Sequence, residues 1–149
     1  MEIKDQDKTP VETEKQPKLH ILGAEDDASL RALGEVIFRR LGVDFQSVPD
    51  AQQGLSLLEE NPGRFNVVFS DRDMPGMDGE TFLTEVRLNY PQIQTALVTG
   101  RDYTDEEVED LRKRGVDTYI RKPYTLSQIE ALTKTMEQVL LERNKNNDV

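Results

Sequence analysis

The chain has 149 residues, 36% hydrophobic and 32% charged, which suits one domain with a sizeable buried core. Its formal net charge of -10 repels nucleic acid and anionic membranes, which counts against direct nucleic-acid binding. There is no cysteine for a disulfide or a thiolate metal site, and no apolar run approaches the roughly 20 residues that span a bilayer, so the composition reads as a soluble, cytoplasmic protein with no membrane partner.

Residues 1–17 (MEIKDQDKTPVETEKQP) mix both charge signs with two prolines and lack apolar periodicity, and are expected to form a disordered tail. Leu19 to Leu22 reads as a first strand. The helical stretch behind it places Leu30, Leu33, Ile37 and Leu41 on one stripe, expected to face the core, with Asp27 as its cap. Phe45 to Val48 is a second strand, and Asp50 is placed to cap the helix after it. A third strand, Asn66 to Ser70, leads to a helix that Asp78 can cap. The fourth strand, Thr95 to Thr99, precedes the capping-box pattern Thr104-Asp-Glu-Glu107. The helix that begins there carries Asp105, Glu106 and Glu107 early and Arg112, Lys113 and Arg114 late, which complements its dipole. Thr118 to Ile120 is a fifth strand. A second capping box, Thr125 to Gln128, starts a last helix with Ile129, Leu132, Met136 and Val139 on one face, ending near Leu141. Gly42, Gly63 and Gly115 stand where helices should stop. Residues 18–142 are thus read as one domain, and 143–149 (RNKNNDV) as a second disordered tail.

Five strand–helix pairs in strict alternation predict a doubly wound α/β domain, a parallel sheet with helices on both faces. In such sheets a site lies beyond the carboxyl ends of the strands. The first strand delivers Glu25, Asp26 and Asp27 there, the third Asp71, the fourth Thr99 and Gly100, the fifth Lys122 and Pro123. Within FSDRDMPGMDG (69–79) an apolar run ends at once in acids that repel one another. A cation among them resolves the conflict; without one, at least one carboxyl pKa is expected to rise. Mg²⁺ takes oxygen ligands and a few carboxylates, and Glu25, Asp26 and Asp71 can supply them. Lys122 can pair with an anionic oxygen, and Thr99 can donate to another.

These segments, ILGAEDD (21–27), SDRDMPGMDG (70–79), LVTG (97–100) and YIRKPY (119–124), closely resemble the receiver domain of two-component response regulators, over roughly Lys18 to Leu141. The resemblance implies a flavodoxin-like fold, five parallel strands in the order 2-1-3-4-5 with five helices. It makes Asp71 the phosphoacceptor, taking a phosphoryl group from a histidine kinase or a histidine phosphotransfer protein. Glu25, Asp26 and Asp71 would bind Mg²⁺, with the backbone carbonyl of Asp73 completing the shell. Lys122 would contact the phosphoryl group across a cis Lys122–Pro123 peptide, and Thr99 and Tyr119 would form the switch pair. The output would be a changed helix 4–strand 5–helix 5 face offered to a protein partner, from a monomer or weak dimer. Such a protein is a signalling switch, not an enzyme, beyond slow self-phosphorylation from small donors and self-dephosphorylation.

This chain departs from the family pattern at a few positions. Glu25 stands where the family often has Asp, and Gly23-Ala24 replace bulkier residues. Asp73 and Arg101 occupy positions that tune the lifetime of the aspartyl phosphate. Asp71-x-Asp-x-x-Gly faintly matches a calcium loop, but Pro75 and Phe82 occupy ligand positions. Asp27 and Asp78 read foremost as caps, and His20 as structural. Two alternatives stay open: the receiver portion of a hybrid histidine kinase and, more distantly, a haloacid-dehalogenase-type phosphohydrolase, which also starts from Asp-x-Asp.

Overall fold

Alternate residues of a strand point to opposite faces of its sheet, and in this protein both faces are apolar. The computed structural model describes residues 18–147. Five parallel strands, β1 (His20–Ala24), β2 (Asp44–Val48), β3 (Val67–Asp71), β4 (Gln94–Thr99) and β5 (Thr118–Arg121), lie in the order β2-β1-β3-β4-β5. They alternate with helices α1 (Ala28–Arg40), α2 (Ala51–Glu60), α3 (Gly79–Asn89), α4 (Asp105–Lys113) and α5 (Leu126–Asn147). This is the flavodoxin-like arrangement. Leu22, Val68 and Leu97 look to one side, where they meet Leu58, Phe82, Val86 and Leu111 of α2, α3 and α4. Ile21, Val67, Phe69 and Ala96 look to the other, against Phe38, Ile129 and Met136 of α1 and α5. The expected tail at residues 1–17 lies outside the described residues.

The helix starts follow the local chemistry. Asp27, Asp50 and Asp78 accept from backbone amides of the first turns of α1, α2 and α3. Both capping boxes form: Thr104 with Glu107, and Thr125 with Gln128. Gly42 and Gly115 follow α1 and α4 with φ of 74° and 101°, the left-handed geometry that ends a helix. Gly63 instead belongs to the turn after α2, whose cap is Asn61; there Arg64 N donates to Asn61 O.

Two expectations are corrected. The stripe on α1 does not face the core as a whole: Leu30 and Leu33 are 42% and 49% exposed, and Val36 52%. The inner face is instead marked by Phe38, with Ile37 and Leu41 packed beside it. Phe45 of β2 causes the rotation. Its ring stacks on Phe38 at 4.5 Å and lies against Gly34 and Gly23, where a Cβ at Gly23 would come within 2.6 Å of it. Small Gly23 in β1 is thus explained: Phe45 fills the space its missing side chain leaves. The second correction concerns the C-terminus, where residues 143–147 continue α5 instead of forming part of a tail. Arg143 Nη1 donates to Gln92 O at 2.7 Å, and Gln138 bonds to Glu142 one turn on, which fastens the polar end of the helix.

Candidate functional site

Register brings the strand ends to one rim. Ala24 pairs with Ser70, Asp71 with Val98, and Thr99 with Arg121. Beyond them, Glu25 N donates to Val48 O, Arg72 N to Val98 O, and Lys122 N to Thr99 O, so the backbone stays ordered past the last strand residues. Arg31 of α1 reaches back to the carbonyls of Glu25 and Asp26 at 2.9 and 3.2 Å. Its guanidinium holds the loop that carries both acids.

The acids and the ammonium meet. One carboxylate oxygen each from Glu25, Asp26 and Asp71 lies within 4.8 Å of the others. Lys122 Nζ donates to Asp71 Oδ1 at 2.6 Å and sits 3.8 Å from Glu25 Oε1. Asp71 is buried, Glu25 half-buried and Asp26 exposed. The Lys122–Pro123 peptide is cis. Burial raises the Glu25 pKa, and the Asp71 and Asp26 charges add to that against the opposing Asp27 amide and Lys122. Repulsion therefore contributes as the sequence leads one to expect, but desolvation is the larger cause. Lys122 is pushed down by its own burial, yet its bond to Asp71 and the charge of Glu25 outweigh that and leave its pKa raised.

This donor set fits a hard divalent cation. Three carboxylates in reach of one point, one of them exposed to water, match an ion that keeps part of its hydration shell. The Asp73 side chain stands apart from that group: it is 78% exposed and pairs with Arg72 at 2.8 Å. Thr99 is buried, and its Oγ1 accepts from Arg101 N at 3.0 Å. Tyr119 shares a row of the sheet with Leu97 and Ser70. Its ring is half-buried and lies edge-on to Tyr103, centroids 4.9 Å apart. His20 is not part of this rim; it opens β1 and bonds to Asp44.

Sequence reasoning passed over three residues here. Gly79, at the start of α3, donates its amide to Arg72 O, and any Cβ on it would collide with the backbone carbonyl of Asp71. The glycine that ends SDRDMPGMDG was a visible signal of this close approach. Glu80 and Tyr103 form a hydrogen bond 23 positions apart, which no local pattern announces.

Known proteins place this arrangement. The profile of the response regulator receiver domain matches residues 21–134. The chain is 36% identical over 105 residues to the response regulator protein FleR of Pseudomonas aeruginosa, covering 70% of this chain and 21% of that protein. It is 29% identical over 117 residues to the sensor kinase CckA of Brucella abortus, covering 78% of this chain and 12% of that protein. The chain therefore spans only a minor part of these relatives. A crystal structure of a CheY-like response regulator receiver domain protein from Methanospirillum hungatei superposes with a TM-score of 0.71 at 25% identity, covering 87% of this chain and 99% of that one. With the matched region running from β1 into α5 and the acidic rim where the strands end, the chain belongs to the response regulator receiver domain family.

Proposed function

We propose that Asp71 is the phosphoacceptor of this receiver domain and that Glu25, Asp26 and Asp71, with the carbonyl of Asp73, hold Mg²⁺ beside it. The observation that carries the reading is the 2.6 Å contact of Lys122 with Asp71 inside the three-carboxylate group. One Asp71 oxygen attacks the phosphorus of a phosphohistidine, the P–N bond breaks, and the imidazole leaves with the electron pair. Bound Mg²⁺ would offset negative charge on the phosphoryl oxygens. Lys122 is placed to follow Asp71 and contact the new phosphoryl group, and Thr99 is one residue beyond Val98, the register partner of Asp71. Tyr119 and α4 would carry the change to a protein partner through the α4–β5–α5 face. Family membership makes the chain a signalling switch and not a conventional enzyme.

The donor, in this reading, is a histidine kinase or a histidine phosphotransfer protein. The exposed leucines of α1 support a docking face beside the site, since Leu30 and Asp71 line the same cavity. Similarity to a sensor kinase keeps a second setting in view, the receiver portion of a hybrid kinase, where the same chemistry would serve.

Incubation with acetyl phosphate and Mg²⁺, followed by intact mass spectrometry, tests the assignment. One phosphoryl group should appear on the native chain and none on Asp71→Ala. Equal gain by both proteins, or none by either, refutes it.

A further inference from the structure

Next to the acidic rim, three segments converge on one carboxylate. Glu80, in the first turn of α3, has a side chain only 17% exposed. Its Oε2 accepts from Arg72 Nε at 3.1 Å and from Tyr103 Oη at 2.6 Å, and its Oε1 accepts from Arg114 Nη2 at 3.0 Å. Arg72 is the residue after Asp71, Tyr103 lies between Thr99 and α4, and Arg114 caps the far end of α4. Two of the three donors are cationic, which makes their bonds strong and directional.

Tyr103 extends the connection to the switch pair. Its ring lies edge-on to Tyr119, and the Arg101 guanidinium sits over the Tyr103 ring, 4.7 Å from its centroid. Arg101 is in turn bonded through its amide to Thr99 Oγ1 and through its side chain to Glu107 of α4. Contacts therefore run unbroken from Arg72 through Glu80 and Tyr103 to Tyr119, and from Tyr103 through Arg101 to Thr99. Tyr119 cannot change its rotamer without repacking against a ring that Glu80 holds by its hydroxyl.

We propose that Glu80 and Tyr103 form a latch, two positioning residues that keep Tyr119 and the segment between β4 and α4 in the arrangement seen here. Switching then requires the Tyr103–Glu80 contact to open. The proposal deepens the phosphoacceptor reading and rests on it for its functional meaning. An interaction present in one arrangement and lost in the other shifts the balance between them by its own strength. Because Arg72 is covalently joined to Asp71, a displacement at the phosphoacceptor reaches the latch through a single residue.

Tyr103→Phe tests this, since it removes the hydroxyl and leaves the ring against Tyr119. In the unphosphorylated protein, amide hydrogen exchange at residues 100–104 and at Tyr119 should quicken by about tenfold, as expected from losing one hydrogen bond to a charged group. Amides of β1 and β3 should not change. Affinity for beryllofluoride with Mg²⁺, a phosphoryl mimic, should tighten several-fold. Unchanged exchange at 100–104, exchange that rises equally in β1 and β3, or affinity that is equal or weaker overturns the latch. If the native chain binds beryllofluoride no better than Asp71→Ala, the phosphoacceptor reading falls instead, while the exchange data still judge the latch.

Discussion

Lys122 Nζ lies 2.6 Å from Asp71 Oδ1 although 51 positions separate the two residues. The pair neutralises a carboxylate that the end of β3 buries. Lys122→Ala leaves that carboxylate without its donor, and an unpaired buried polar group costs about 1–3 kcal/mol. Urea melts in a chelator should show a loss of that order. Added Mg²⁺ should recover part of it, because the cation supplies positive charge at the same place. A variant as stable as the native chain without metal would contradict the pairing.

Cation binding should appear as stability. A ligand that binds only the folded state at about a hundred times its Kd adds about 2.7 kcal/mol. Thermal melts with and without Mg²⁺ should therefore separate for the native chain. The separation should shrink in Asp26→Asn and nearly vanish in Asp71→Asn. Equal shifts in all three proteins would place the ion elsewhere.

Two glycines near the site should respond in opposite ways. A methyl at Gly79 meets the Asp71 and Arg72 backbone, which cannot give way without moving the rim. Gly79→Ala should cost about 1–3 kcal/mol or more, as overpacking does. Gly100 has no heavy atom within 4 Å of where its Cβ would stand. Gly100→Ala should change stability by less than about 0.5 kcal/mol. Chemical denaturation of both variants makes the comparison.

The latch also predicts a pH signature. Burial, then the hydrogen bond to Glu80 and the Glu80 charge, push the Tyr103 phenol up to about 12. Glu80 would be raised by its burial, but bonds from Tyr103, Arg114 and Arg72 prevail and hold it below the ordinary carboxylate range. The folded state thus binds the Tyr103 proton more tightly than the unfolded chain does. That stabilisation is complete below the ordinary tyrosine pKa and is lost as pH rises through about 12. For Glu80 the sign reverses: its contribution is complete above the ordinary carboxylate pKa and is lost as pH falls through the lower folded value. A phenolate absorbance titration should show an ionisation near pH 12 that disappears in Tyr103→Phe, while the Tyr124 phenol, which burial also raises, keeps its late ionisation in both proteins. Replacing Glu80 by Gln should move that ionisation back toward the ordinary range.

Exposure of the α1 leucines separates packing from docking. Phe38→Ala should cost about 3–5 kcal/mol, the usual loss for a buried aromatic ring. Leu33→Ser should cost much less, about 1 kcal/mol, because about half of the residue already faces water. If α1 is the donor's docking face, Leu33→Ser should slow transfer from a phosphohistidine protein and leave labelling by acetyl phosphate unchanged. Equal slowing with both donors would locate the defect at the phosphoacceptor instead.

Local chemistry was readable from the chain. Caps at Asp27, Asp50, Asp78, Thr104 and Thr125, and the alternation of apolar strands with helices, depend on neighbours a few residues apart, and all appear in the fold. The convergence of Glu25, Asp26, Asp71 and Lys122 was also legible, because parallel strands deliver their carboxyl ends to a common rim. Helical periodicity could not say which part of a wide apolar arc on α1 turns inward. Phe45, from another element, decided that by occupying the space at Gly23 and Gly34. Nor could composition foresee that α5 runs on through Arg143, since the carbonyl that fastens it belongs to Gln92.

By itself the sequence determined the elements, their order and the set of acids and bases that reach one end of the sheet, since these follow from spacing and capping along the chain. Only the tertiary structure decided which side chains touch: the turn of α1 toward Phe45, the backbone contact that excludes a side chain at Gly79, and the union of Arg72, Tyr103 and Arg114 on Glu80. Those contacts join residues far apart in the chain. Their energies depend on distances and burial that no local pattern encodes.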